Sequence, residues 1–117
     1  MSRLGFALSG LRAAFRSERS FRSQTLAVCI ALAAALWLRP SAVWLALVVA
    51  MAALVLAAEL VNTALEHALD GLHPEQAVFV GIAKDCAAAS VLVLTLAAVA
   101  VYLLMLFEVF CRSGSGC

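Results

Sequence analysis

The 117-residue chain is 66% apolar and 13% charged, whereas an ordinary soluble domain is about 45 to 50% apolar and about 25% charged, so its composition is that of a membrane protein. Its length allows a single domain and leaves no room for a Rossmann or P-loop unit beside the apolar segments. Eight basic and seven acidic residues give a net charge of +1, which excludes a bulk electrostatic argument for nucleic-acid binding and confines any chemistry to the membrane helices and their ends.

Residues 1–22 are expected to form an amphipathic helix. Leu4, Leu8, Leu11 and Phe15 recur at helical spacing and fall within about 60° of one another. Arg12, Arg16 and Arg19 occupy an adjacent arc, the arrangement of a helix lying in the headgroup plane against anionic lipid. The bland alternative is an amphipathic helix packed on the bundle. The first apolar run ends in Arg39-Pro40 rather than at a small-residue cleavage site, so this segment is expected to remain in the mature protein.

Three uncharged runs follow, at residues 23–38, 41–58 and 86–107, and they predict three transmembrane helices over 23–38, 41–70 and 84–108. The first two runs hold 16 and 18 residues and must borrow flanking residues at the interfaces to span. Arg39-Pro40-Ser41 reads as a tight turn that makes the first two helices an antiparallel hairpin. Gly71 and Pro74 place a loop from Gly71 to about Gln76. Five arginines at positions 3, 12, 16, 19 and 22 put the N-terminus in the cytoplasm, and three spans then put the C-terminus outside. The whole is an all-α integral membrane protein, one domain over residues 1–117. Cys29 and Cys86 read as small hydrophobes, and no Cys spacing suits zinc or thiol redox chemistry; Cys111 and Cys117 have no assigned role.

The second helix continues beyond its apolar run through Glu59, Asn62, Thr63, Glu66 and Asp70, at offsets 0, 3, 4, 7 and 11. These positions span about 100° of the helix and roughly 16 Å of its length. They form a carboxylate stripe descending from the cytoplasmic interface, with Glu59 deepest. A carboxylate at depth faces a bundle interior or a wet cavity and is a functional candidate. Snorkelling to water accounts for Asp70 and Glu75 but poorly for Glu59 and Glu66, which are short side chains within an apolar helix. His67 lies beside Glu66 but off the stripe, as an interfacial histidine, and His73 reads as a loop residue.

Lys84-Asp85, with the chain's only lysine, opens the third span from the same side. Its default role is a headgroup anchor. With the stripe, a phosphoryl-transfer reading becomes available. Glu18, Glu66 and Asp70 are carboxylates of the kind that hold Mg2+ together with substrate phosphates. Lys84 and the arginines suit neutralisation of phosphate charge, and a desolvated Glu59 suits a general base for an acceptor hydroxyl at headgroup level.

The segment 59–66, followed by Asp70 and by Ala83-Lys84-Asp85, resembles the prokaryotic diacylglycerol kinase family. The family pattern E-x-x-N-(S/T)-A-(I/L)-E-x-x-x-D, with A-K-D centred fourteen residues later, is matched with unchanged spacing. Gly10-Leu11-Arg12-Ala13-Ala14, Glu18 and Phe21-Arg22 extend the likeness over residues 5 to 107. The resemblance implies a homotrimer of three-helix subunits with an N-terminal surface helix and shared active sites, phosphorylating a lipid alcohol from ATP with Mg2+. It implies Glu59 as catalytic base and Glu18 and Glu66 as metal-binding acids. Asn62, Asp70, Lys84 and Asp85 correspond to nucleotide-site residues. Ala77 and Gly81 stand where many relatives carry a histidine and a basic residue, a departure confined to the loop. Diacylglycerol is the expected acceptor. Undecaprenol is the alternative, toward which Asn62-Thr63-Ala64 and residues 84–88 lean. Two other classes are a small proton-coupled transporter built on Glu59, which lacks a fourth span, and a non-catalytic oligomer with paired charges, which leaves the ordered stripe unexplained.

Overall fold

The computed structural model describes residues 2–114, which form four helices: α1 (Arg3–Ser17), α2 (Arg19–Leu38), α3 (Ala42–Leu72) and α4 (Val78–Arg112). No strand occurs among the described residues. The last three helices are long and apolar enough to cross a membrane, and α1 precedes them.

Ser2 caps α1 by accepting the Gly5 amide at 3.1 Å, satisfying one of the free amides that every helix start exposes. The expected helix over residues 1–22 is in fact divided. Glu18 adopts an extended conformation (φ −116°, ψ 112°) between α1 and α2. The Arg22 guanidinium donates to the Phe15 and Arg16 carbonyls at 2.8 and 3.0 Å, satisfying acceptors that the broken helix leaves open. The first span therefore starts at Arg19, four residues before its apolar run, and reaches 20 residues. Ala14 and Phe21, both buried, pin the corner, and Phe21 meets Phe15 edge-on at 6.5 Å.

Arg39 ends α2 in the left-handed region (φ 55°, ψ 58°), and its carbonyl accepts Arg112 Nη2 at 2.6 Å. Pro40 prevents α2 from continuing, and α3 starts after Ser41. Helix α3 has 31 residues and runs through Gly71 to Leu72, so the loop is shorter than its glycine suggested. Helix α4 has 35 residues and begins at Val78, six before Lys84, because Val78, Phe79, Val80 and Ile82 are compatible with helix and no proline follows Pro74. At 1.5 Å per residue these helices are about 46 and 52 Å long, against a hydrocarbon layer of about 30 Å, so their ends project beyond it.

Helix α3 packs most extensively on α4 and then on α2. Ala35, Val48, Met105 and Val109 form the buried core of the half nearest the α2–α3 turn, with Trp44, Leu45 and Tyr102 against them. Tyr102 also ties α4 to α2 by donating to the Ala31 carbonyl at 2.8 Å. Large side chains on the outer faces, including Trp37, Leu96 and Phe107, are more than half exposed. Cys29 and Cys86 are free and exposed; Cys117 lies outside the described residues.

Candidate functional site

The polar positions of α3 share one face but not one environment. Glu59 and Thr63 are buried at 3% and 7% exposure. Asn62 and Glu66 are half-buried, and Asp70 is exposed. The stripe thus passes from a buried end at Glu59 to an exposed end at Asp70 beside the α3–α4 loop.

At the deep end, Glu59 Oε1 accepts a hydrogen bond from Ser20 Oγ at 2.9 Å. The first turn of α2 therefore reaches the face of α3 where the carboxylate lies. Asn62, one turn on, has its Oδ1 buried with no hydrogen-bond partner among the described residues. Such an atom carries a desolvation penalty of about 1 to 3 kcal/mol unless something outside the chain donates to it.

At the shallow end, Lys84 Nζ donates to Asp70 Oδ1 at 2.6 Å, joining the start of α4 to the end of α3. Glu66 lies within electrostatic reach of the same ammonium. Lys84 and Asp70 line an open cleft of about 240 Å³ with His73, Glu75 and Gly81. His73 is engaged locally, its Nδ1 3.1 Å from the Glu75 carbonyl and 3.2 Å from its carboxylate, with its ring edge-on to Phe79. Asp85 is exposed beside Lys84.

Glu18 is half-buried at the α1–α2 break. Next to it, Ser17 Oγ lies 3.4 Å from His67 Nε2, which links α1 to α3, so His67 has an interhelical contact off the stripe. The structure brings Asp70, Lys84 and Glu66 together and sets Glu59 apart with Ser20. No group of three or more His, Cys, Asp or Glu side chains converges on a metal position among the described residues. Glu18, at the α1–α2 break, and Glu66, on α3, do not belong to such a group. Their oxygens are nonetheless the hard donors that Mg2+ takes, and Glu66 has no ion pair among the described residues.

Ser20 is the site residue missed by sequence reasoning. Its only signal was a serine two positions after Glu18, and which side chain of α2 faces Glu59 depends on how the two helices are rotated against each other.

The arrangement offers a buried carboxylate for proton transfer and, roughly 16 Å along the helix, a charged open cleft. Residues 5–106 match the family model described as prokaryotic diacylglycerol kinase. The chain is 34% identical over 106 residues to a diacylglycerol kinase of Escherichia coli, covering 91% of this chain and 87% of that protein. A diacylglycerol kinase of Haemophilus influenzae is 33% identical over 88 residues, 75% of each chain. One from Synechocystis is 37% identical over 97 residues, 82% of this chain and 55% of the relative.

Proposed function

Since the chain belongs to the prokaryotic diacylglycerol kinase family, we propose that its chemistry is divided along α3, with the proton taken at Glu59 and the nucleotide held at the loop end. The protein is a multi-pass membrane enzyme, an ATP-dependent lipid kinase that transfers the γ-phosphoryl group of ATP to the hydroxyl of diacylglycerol and gives phosphatidic acid. The hydroxyl oxygen bonds to the γ-phosphorus, the bond from that phosphorus to the bridging oxygen breaks, and ADP leaves. The hydroxyl proton passes to the Glu59 carboxylate.

The observation that carries this division is the burial gradient of the stripe. Measured from the start of α3, Glu59 lies at about 25 Å and Glu66 at about 36 Å, so Glu66 stands roughly 10 Å nearer the loop end. A lipid hydroxyl at headgroup level meets the former and a water-soluble nucleotide the latter. Asn62, Asp70, Lys84 and Asp85 are assigned to the nucleotide. Lys84 supplies positive charge to its phosphates, and Asp70 holds the ammonium in place. Glu18 and Glu66 are the residues that would hold Mg2+ with the nucleotide, where the cation would neutralise phosphate charge.

A homotrimer with shared sites is part of the reading. It is supported by the exposed apolar faces and by the buried atoms Asn62 Oδ1, Thr95 Oγ1 and Glu108 Oε2, which have no hydrogen-bond partner among the described residues. A cytoplasmic N-terminus and an outer C-terminus are likewise proposed, on the arginine count before α2's apolar run; this puts the nucleotide end of α3 where ATP is. Residues 1–117 are taken as one catalytic domain.

The leaning of residues 62–64 and 84–88 toward undecaprenol is not favoured, because the matched relatives are named diacylglycerol kinases. Family membership also sets aside the transporter and the non-catalytic oligomer. Purified protein in detergent, given MgATP with diacylglycerol and undecaprenol in parallel, tests the assignment. Phosphatidic acid is the expected product, and phosphorylation of undecaprenol alone would overturn it.

A further inference from the structure

The Ser20 hydroxyl has no role in the chemistry described so far, yet it makes the only hydrogen bond to the Glu59 carboxylate among the described residues, at 2.9 Å. Three other helical hydroxyls turn back on their own backbone. Ser17 donates to the Ala13 carbonyl and Thr25 to the Phe21 carbonyl, each at 2.8 Å, and Ser90 to the Ala87 carbonyl at 2.7 Å. This is the common local alternative for such side chains. For Ser20 the equivalent acceptor four residues back is the Arg16 carbonyl, which already receives the Arg22 guanidinium at 3.0 Å. The helix break at Glu18 thus frees the Ser20 hydroxyl to cross to α3.

We propose that Ser20 is a positioning residue for the catalytic base: by donating to Oε1 it fixes the rotation of the Glu59 carboxylate and leaves Oε2 to take the proton of the lipid hydroxyl. This rests on the reading of Glu59 as base. A carboxylate on a flexible side chain, buried at 3% exposure, needs an external donor to hold one orientation, and a bond to a charged acceptor is among the stronger neutral-donor contacts. Ser20 also stands two residues from Glu18, so the first turn of α2 couples a candidate metal-binding acid to the orientation of the base.

The test uses the full-length protein in detergent with MgATP and diacylglycerol. Threonine and valine have nearly the same shape and differ in the hydroxyl, so Ser20→Thr and Ser20→Val separate hydrogen bonding from packing. Ser20→Thr is expected to retain kcat, and Ser20→Val to lose about tenfold or more with KM for ATP unchanged. In a Glu59→Gln background the Thr and Val forms should turn over equally, because the orientation being held no longer matters. Equal kcat for Ser20→Thr and Ser20→Val, at any level, would overturn the proposal, as would the same Thr-to-Val ratio in the Glu59→Gln background. Wild-type turnover in Glu59→Gln alone would instead overturn the base reading on which it stands.

Discussion

The two ends of the α3 stripe carry the same functional group in opposite surroundings. At the deep end the Glu59 carboxylate is buried and meets one neutral hydroxyl, that of Ser20. At the loop end the Asp70 carboxylate is exposed and meets an ammonium, that of Lys84. A buried carboxylate with a single neutral donor keeps an oxygen free for a proton. An exposed carboxylate engaged by an ammonium is a holder of charge, and water screens its attraction. The difference supports the proposed division of proton chemistry from charge placement along one helix, and each substitution below is aimed at one end.

The largest effect is expected at the deep end. Replacing Glu59 by Gln preserves shape and removes the basic form, which typically lowers rate by about 10² to 10⁴. Turnover should collapse while MgATP affinity, measured by direct nucleotide binding, stays nearly intact. An equal loss of nucleotide affinity in Glu59→Gln and Glu66→Gln would erase the distinction between the two ends.

Glu66→Gln and Glu18→Gln probe the boundary between them. A neutral amide loses the charge a hard dication needs, and activity titrated with magnesium should require about 10 to 100 times more of it in each variant, with weaker nucleotide binding. Unchanged magnesium dependence in both would remove them as ligands.

At the loop end, Lys84→Met should weaken ATP binding and leave thermal unfolding in detergent nearly unchanged, because the pair it breaks with Asp70 is exposed. A large drop in melting temperature with normal ATP affinity would make the pair a fastener of α4 rather than part of the nucleotide site.

The smallest effect calibrates the others. Tyr102→Phe removes the bond to the Ala31 carbonyl, remote from both ends, and a bond between membrane helices contributes on average about 0.6 kcal/mol. A slightly lower melting temperature with unchanged kcat is expected. A lost kcat would show that activity responds to any interhelical contact, and the contrast between the stripe's ends would carry no weight.

Much of this protein was legible without its fold. Three uncharged runs announce three spans, since an apolar segment of that length is stable only in lipid. The offsets of Glu59, Asn62, Thr63, Glu66 and Asp70 put them on one face, since within a single helix the angular position of a side chain follows from its residue number alone. The tertiary structure decided the rest: the break at Glu18, the start of α4 at Val78, the closure of Asp70 on Lys84, and the contact of Ser20 with Glu59. Each depends on how one segment sits against another. The interfaces are built largely from Ala, Val and Leu, with Met105, Trp44 and Tyr102 among them, and the small aliphatic side chains allow many rotations and registers in the sequence. Only the sum of their packing, together with the few polar atoms that must find partners, selects one.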